Sequence, residues 1–406
     1  MYGLLGRKLS HSLSPQIHAH FGSYNYELFC RELEELDAFF KDKTLKAYNV
    51  TIPYKIEAFN RCDELSETAK KIGSVNTVVR RDDGTLYGDN TDYFGFDFMS
   101  KSCSADYNGK KVLVLGSGGA SLTVCAVAKD CGAREIVVVS RSGENNYGNI
   151  DKHYDADIIV NTTPVGMYPN NGERLVDLTK FRNLQNVLDL IYNPCRTRLL
   201  LDAEELGIPC ANGLTMLVAQ GLRSAEQFPD VTLQNTDISN VCELMLKEQK
   251  NIVLIGMPGC GKSTVGKILA EKLQRELLDT DEEIIRADGR TIPEIFENDG
   301  ETFFRELETR AVEAVGKQLS KIIATGGGAV IKNENRDALK QNGTIIYLKK
   351  DLSLLSLEGR PLSKDEDAVR KIYEARKDIY EAFADFTVEV DADAEITAKR
   401  VIECIF

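Results

Sequence analysis

NIVLIGMPGCGKST, residues 251–264, decides the fold of the second half of the chain. Ile252 to Ile255 form a short apolar run suited to a buried strand. Gly256, Gly259 and Gly261 then let the backbone turn tightly, and Lys262, Ser263 and Thr264 open a helix. The spacing is that of a phosphate-binding loop, G-x-x-x-x-G-K-[ST]. Free backbone donors and the positive helix end suit phosphate oxygens. Gly259, Cys260, Gly261, Lys262, Ser263 and Thr264 are the candidate nucleotide contacts, with Ser263 also able to hold Mg2+. An ordinary glycine-rich turn needs neither Lys262 nor Ser263 at those offsets. The residues from about 250 onward suffice for one small nucleotide-binding domain, so the 250 before them need a separate account.

With 406 residues, two or three domains are expected, each large enough to bury a core. A net charge of −13 argues against a broad basic face for nucleic acid, so an anionic ligand must meet local basic pockets. No apolar stretch is long enough to span a membrane. The start, MYGLLGRKLSHS, lacks the apolar core of a secretory signal. The ten cysteines contain no CxxC pair and the four histidines form no cluster with them, which speaks against zinc. Scattered thiols in an acidic chain without a signal read as reduced cysteines of a cytoplasmic protein. No feature points to an obligate protein partner.

Tyr2–Leu5 reads as a strand, followed by HSLSPQIHAHF. Ser12 and Ser14 precede a helix that starts at Pro15. One serine suffices as an N-cap, which frees the other for a ligand hydroxyl or carboxylate. His18 and His20 lie inside that helix and read as structural. Residues 47–55, AYNVTIPYK, give a strand from Tyr48 to Ile52, ended by Pro53. Lys55 falls just past its C-terminal end, where α/β sites are built. GSVNT (73–77) sets Asn76 and Thr77 at a turn before a strand, and GDNTDYFGF (88–96) sets Asn90 and Asp92 before a helix. Three polar clusters after three strands suggest one polyol pocket, with Lys55 and Asp92 as an acid–base pair.

Taken in order, Ser12-x-Ser14, Asn49-Val-Thr-Ile-Pro-Tyr-Lys55, Gly73-Ser-Val-Asn76-Thr77 and Asn90-Thr-Asp92 resemble shikimate dehydrogenase over roughly the first 245 residues. The resemblance implies that Lys55 and Asp92 are catalytic. It also implies that Ser12, Ser14, Thr51, Asn76 and Asn90 hold the substrate's carboxylate and hydroxyls.

GKKVLVLGSGGA, residues 109–120, is a strand–turn–helix unit with Gly116, Gly118, Gly119 and Ala120 at a dinucleotide-binding turn. The helix runs to about Cys131 and a second strand spans Glu135–Val139. After that strand an NAD enzyme carries an acidic residue for the ribose hydroxyls. Here stand Ser140, Arg141 and Ser142, which favour the 2′-phosphate of NADP; the alternative is that Arg141 is a surface cation. Only fifteen residues separate Arg141 from Asp157, too few for a helix plus a strand, so the cofactor sheet is expected to be one strand short. Strands follow in DIIVNTTPVGM (157–167) and NVLDLIYNP (186–194), then a helix in NGLTMLVAQG (212–221). In the resembling family Thr162 and its turn lie along the cofactor, and Gly213 and Met216 lie near the nicotinamide. Tyr192 and Gln220 return to the substrate. Helices at about 214–227 and 237–247 are expected to complete the first lobe, and KEQK (247–250) reads as a very short linker.

Beyond the phosphate loop, ELLDTDEEI (276–284) places Asp279 and Asp281 at a strand end. One can serve Mg2+ through water while the other faces a substrate hydroxyl, unless both merely begin a helix. EIFENDGETFFRELE (294–308) carries Arg305 on a helix, and IIATGGGAV (322–330) runs a strand into Gly326–Gly328, where a small ligand can approach the backbone. GRPLS (359–363) suits a lid, and Arg376 and Tyr380 share a helix face. Walker loop, DTD, E-x-x-x-x-FR-x-x-E, GGG and RPL together resemble shikimate kinase over about 250–406. The resemblance implies shikimate contacts at Asp281, Arg305, Gly327, Gly328 and Arg376. Arg360 becomes the lid arginine on the ATP phosphates, and Ser263 with Asp279 the Mg2+ site.

The expected architecture is α/β throughout. Residues 1–100 form a substrate lobe, completed by helices in 214–247; residues 101–213 form a Rossmann-type NADP lobe; residues 248–406 form a P-loop domain of the nucleoside-monophosphate-kinase type. The ligands expected are 3-dehydroshikimate, shikimate, NADP, ATP and Mg2+.

Overall fold

A computed structural model describes residues 1–10, 12–355 and 366–405. The chain divides into two compact units, residues 1–192 with 199–245, and residues 193–198 with 246–406. Each is treated separately below.

The first unit opens with a mixed sheet of β1 (Tyr2–Gly6), β2 (Tyr26–Cys30), β3 (Ala47–Val50), β4 (Glu64–Leu65), β5 (Thr77–Arg80) and β6 (Leu86–Asp89) in the order β2-β1-β3-β5-β6-β4. β1 pairs in parallel with β2 and β3, whereas β5 runs antiparallel to both β3 and β6. The antiparallel turn-back matters for function. It brings Asn76, just before β5, beside the C-terminal end of β3 that leads to Lys55. β3 is buried at all four positions, ends at Val50, two residues earlier than expected, and hands over to the helix Lys55–Arg61.

A second, all-parallel sheet contains β7 (Lys111–Leu115), β8 (Glu135–Val139), β9 (Ile158–Asn161), β10 (Asn186–Asp189) and β11 (Cys210–Asn212), ordered β11-β10-β9-β7-β8. The chain steps from β7 to β8 and then back past β7 to β9. That reversal makes the C-terminal end of β7 the place where a ligand is expected. Between β8 and β9 there is only a 3-10 turn, Tyr147–His153, so the sheet has five strands rather than six, as the short spacing implied. The helix Gly213–Ala225 packs against the helices Asp92–Ser102 and Ser14–Phe21, and so ties the end of this unit to its first lobe.

The second unit holds β12 (Asn251–Ile255), β13 (Leu277–Asp279), β14 (Ile322–Ala324), β15 (Gly343–Lys349) and β16 (Phe386–Glu389), all parallel, ordered β13-β14-β12-β15-β16. Every residue of β12 is buried. A strand covered on both faces must be apolar throughout, which is why NIVLI reads as a continuous run. Each such side chain contributes roughly 1.5–3 kcal/mol when fully buried. The strand order reverses around β12, and the phosphate loop follows it directly. The KEQK segment is not a loop: the helix Ile238–Gln249 runs through it, leaving Lys250 alone before β12. Lys and Glu are good helix formers, and no Gly or Pro interrupts them.

Candidate active sites

In the first unit a cavity of about 450 Å³ is lined by Ser12, Ser14, Thr51, Lys55, Asn76, Asp92, Tyr192 and Gln220. Eight expected residues therefore converge. The Lys55 ammonium donates to Asp92 Oδ2 at 2.5 Å, with side chains 29% and 15% exposed. Each begins a helix, Lys55–Arg61 and Asp92–Ser102. The negative side chain of Asp92 suits the positive end of its helix. Neither Ser12 nor Ser14 caps the helix Ser14–Phe21, whose N-cap position is Leu13 without a side-chain bond. Ser12 Oγ accepts from the Ser14 N–H at 3.3 Å and donates to Ser14 Oγ at 3.2 Å, and both serines line the cavity.

Asn76 is held in one orientation. Its Oδ1 accepts from the Thr91 N–H at 2.8 Å, the Thr91 hydroxyl at 3.2 Å and the Thr77 hydroxyl at 3.1 Å. Its Nδ2 is left to face Gln220 Oε1, at 3.4 Å, and the cavity. Behind it, Asn49 donates to the Thr77 hydroxyl at 3.2 Å and accepts from the Tyr26 hydroxyl at 2.7 Å. Asn49 also lines the cavity and was not anticipated as a site residue. The signal was available: an asparagine inside an otherwise apolar buried strand must find partners.

Asn90 is buried, and its Oδ1 has no hydrogen-bond partner among the described residues. It does not line the cavity; its Nδ2 donates to the Ser74 carbonyl and hydroxyl, both at 3.0 Å, and its residue is 2% exposed. Its amide pins the Gly73–Ser74 turn instead. His18 is structural as expected. It is buried, stacks on Tyr26 with centroids 3.8 Å apart, and faces Phe228 and the Tyr24 hydroxyl, 2.6 Å from Nδ1. Burial pushes its pKa down to about 3, so it stays neutral.

The dinucleotide turn has the shape its sequence requires. Gly118 and Gly119 begin the helix Gly119–Asp130, and a Cβ on either would meet nothing within 4 Å. Gly118, Gly119 and Ala120 are exposed at the end of β7, so the residues present fit a bulky phosphate group. Gly116 has a φ of +106°, a backbone shape that favours glycine, and sits against Thr162 and Thr163. The Thr162 hydroxyl donates to the Leu115 carbonyl at 2.8 Å. Ser140 N–H bonds Asn145 O at 3.0 Å, forming a tight loop on which Arg141 and Ser142 are exposed. Gly213 is buried against the Leu190 backbone, 2.0 Å from where a Cβ would stand, and Met216 is half-buried against the same core. Close packing alone therefore accounts for glycine at position 213.

In the second unit a cavity of about 490 Å³ joins the phosphate loop to the expected substrate contacts: Gly259, Gly261, Lys262, Ser263, Thr264, Asp279, Asp281, Arg305, Gly327, Gly328 and Arg376 all line it. Ser263 Oγ donates to Asp279 Oδ2 at 2.6 Å, and Asp279 Oδ1 caps the next helix by accepting from the Asp281 N–H at 3.0 Å. Asp279 thus both caps the helix Thr280–Asp288 and meets the Ser263 hydroxyl. Among the described residues no cluster of three or more metal-type ligands occurs. A Ser–Asp pair suits Mg2+, which keeps several waters and takes few protein ligands. The Lys262 ammonium bonds the Gly256 and Met257 carbonyls at 2.9 and 3.0 Å. The Cys260 side chain is fully buried and does not line the cavity, and its N–H is directed at the Met257 carbonyl, 3.3 Å away. Arg360 and the GRPLS stretch lie outside the described residues.

Arg305 donates to Glu308 Oε2 at 2.7 Å and to Glu301 Oε1 at 3.0 Å. Glu308, the last residue of the E-x-x-x-x-FR-x-x-E motif, is 1% exposed and also lines the cavity, a site residue beyond those the sequence predicts. Burial pushes its carboxyl up, and Arg305 pulls it back only in part. Its Oε1 has no protein partner. Arg376 and the Tyr380 hydroxyl both donate to the Gly327 carbonyl, the former at 3.0 Å. Burial pushes the Tyr380 hydroxyl up to about 12, so it stays a donor. The three glycines have a steric reason. A Cβ at Gly326 would sit 2.7 Å from Asp281, at Gly327 2.6 Å from Pro258, and at Gly328 2.2 Å from the Arg305 guanidinium.

A Lys–Asp pair in a polyol-sized cavity, in a unit with a dinucleotide turn, defines an oxidoreductase; the phosphate loop sharing a cavity with two arginines defines a small-molecule kinase. Residues 4–78 match the family model for the shikimate dehydrogenase substrate binding domain, and residues 258–406 match that for shikimate kinase. Over 264 residues the chain is 35% identical to a shikimate dehydrogenase (NADP(+)) of Clostridium perfringens, spanning 60% of this chain and 97% of that protein. Two solved structures are similar to the first part. One is a chorismate mutase/shikimate 5-dehydrogenase fusion protein from Clostridium acetobutylicum, with TM-score 0.56, 38% identity, and coverage of 60% and 96%. The other is the Thermus thermophilus shikimate 5-dehydrogenase in complex with NADP(H) and shikimate, with TM-score 0.54, 28% identity, and coverage of 60% and 98%. The chain belongs to the shikimate dehydrogenase family and carries a shikimate kinase after it, two enzymes of the shikimate pathway in one polypeptide. Among the described residues no helix is long and apolar enough to cross a membrane.

Proposed function

We infer that this chain catalyses two consecutive steps, NADPH-dependent reduction of 3-dehydroshikimate to shikimate and ATP-dependent phosphorylation of shikimate to shikimate 3-phosphate. The observation that carries the reading is the pairing of Lys55 with Asp92, at 2.5 Å, in a cavity that also presents Asn76, Ser12 and Ser14. NADPH supplies the hydride that reduces the ring ketone. Lys55 gives the proton to the oxygen as the alkoxide develops, and Asp92 holds the ammonium in place through its 2.5 Å contact. Positioned proton transfer of this kind is worth roughly 10²- to 10⁴-fold. The Asn76 amide donates to a ring hydroxyl, while Ser12 and Ser14 take the carboxylate. Tyr192, Gln220 and Thr51 close the remaining contacts. Gly116, Gly118, Gly119, Ala120 and Thr162 hold the dinucleotide phosphates and backbone, with Arg141, Ser140 and Ser142 on the 2′-phosphate. Gly213 and Met216 flank the nicotinamide side.

In the kinase, Arg305 and Arg376 take the carboxylate and Asp281 orients the attacking hydroxyl. Gly327 and Gly328 let the ring lie against the backbone. Lys262 exchanges its two loop carbonyls for phosphate oxygens, and Arg360 adds charge from the lid. Ser263 and Asp279 are the residues for Mg2+, which neutralises phosphate charge in a loose transition state. One assay tests the whole reading: the purified chain with 3-dehydroshikimate, NADPH and ATP should form shikimate 3-phosphate. A chain that bound shikimate and ATP yet turned over neither substrate would be a regulator instead. Parallel rates with NAD and quinate test the cofactor and substrate assignments.

A further inference from the structure

Three charged side chains line the dehydrogenase cavity among the described residues: Lys8, Lys55 and Asp92. Lys55 and Asp92 neutralise one another at 2.5 Å. Lys8 is exposed and has no ion-pair or hydrogen-bond partner among the described residues. It therefore carries the entire net charge of the cavity wall, one positive unit. It also lines the same cavity as Ser10, Ser12 and Ser14, a set of hydroxyls rather than charges. One of those hydroxyl protons is already used between Ser12 and Ser14. The substrate is a carboxylate, anionic near neutral pH. A hydroxyl pair alone would bind that group by neutral donors, whereas an ammonium supplies a charge-assisted bond about twice as strong.

We propose that Lys8 is a carboxylate-recognising residue of the dehydrogenase site, selecting cyclic polyols that bear an anionic group over neutral ones. The inference rests on the reading that Ser12 and Ser14 form the carboxylate subsite. Lys8 does not touch the reacting carbonyl in this account, so it sets affinity and capture rate, not the proton transfer. Its field also draws the anion inward and weakens with salt, since the screening length is about 10 Å at 0.1 M.

The experiment uses the full chain and three variants, with kinetics run in the shikimate-oxidising direction on shikimate and its neutral methyl ester. Lys8→Gln should raise KM for shikimate about five- to tenfold at low salt, with kcat little changed. KM for the methyl ester should not move. Lys8→Arg should restore most of the shikimate affinity, and the salt dependence of kcat/KM should flatten in Lys8→Gln. Kinase turnover reports that the protein remains folded. Ser12→Ala separates the two layers of the argument. If Ser12→Ala raises KM and Lys8→Gln does not, the Lys8 assignment fails alone. If neither moves KM, the subsite reading fails and takes Lys8 with it. Equal losses for acid and ester, or a fall in kcat without a change in KM, would also overturn the proposal.

Discussion

The two cavities each set a cation against a carboxylate, and they do so differently. Lys55 and Asp92 are partly exposed, at 29% and 15%, whereas Arg305 and Glu308 are nearly sealed, at 11% and 1%. Lysine is a compact ammonium whose proton can leave; arginine is a rigid fork that stays charged. A ketone reduction needs a proton delivered, so it uses the residue able to give one. In the proposed kinase reaction Arg305 only holds a charged group and gives up no proton, a task that suits a side chain that stays charged. The surroundings follow from that choice. A proton donor must be replenished from water and stays accessible; a clamp is better fixed by burial and by a partner such as Glu308.

The largest effect should come from breaking the first pair. Lys55→Ala should lower dehydrogenase kcat by roughly 10²- to 10⁴-fold and leave kinase rates near normal. Lys55→Arg should not rescue, because charge without a removable proton fails the task. Recovery by arginine would contradict the distinction drawn here. Next is Glu308→Gln, which leaves the buried Arg305 short of its closest anion. Breaking such a pair costs about 3 kcal/mol. Chemical denaturation followed by kinase activity should show that loss, with dehydrogenase inactivation unmoved.

His18 shows a third way to keep a titratable side chain, buried and uncharged. With its pKa pushed down to about 3, the folded state refuses a proton that the unfolded chain accepts below about 6.5. Above that pH neither state is protonated and the group is silent. Between the two values the unfolded state gains, so stability falls with acid by about 1.4 kcal/mol per pH unit. Replacing His18 by Phe should flatten the acid limb of the stability profile of the dehydrogenase unit. An unchanged slope would mean that other groups set it.

Much of this was legible in the sequence where one residue type has one use. The phosphate loop and the missing strand between β8 and β9 needed only spacing, whereas Lys55 and Asp92 needed three polar clusters read together and the resemblance to shikimate dehydrogenase. What spacing cannot give is the direction of a side chain. Asn76 and Asn90 both sit in polar turns beside strands, yet one faces the cavity and the other Ser74. Their neighbours' hydrogen bonds decide between them. Glu308 was hidden among the many acidic residues of its helix, since only burial marks it out. Cys260 shares the loop with Lys262, but the turn that aims the lysine sends the thiol inward. Lys247–Gln249 looked like a linker because the run is polar, while its lack of Gly and Pro is what lets the helix continue through it.

The smallest expected effect tests whether orientation, and not charge, governs the neutral contacts. Thr91 contributes both its N–H and its hydroxyl to Asn76 Oδ1, at 2.8 and 3.2 Å. With Thr77 adding a third donor, the amide has no favourable flipped state, so its Nδ2 faces the cavity. Thr91→Val keeps the shape and the N–H but removes one of those donors. One neutral hydrogen bond is worth about 1 kcal/mol, so KM for shikimate should rise about fivefold, with kcat and the pH profile unchanged. Thr91→Ser should restore it. If valine lowers kcat or shifts the pH profile, Thr91 is coupled to the Lys55–Asp92 pair, and the separation between proton delivery and hydroxyl recognition within this cavity does not hold.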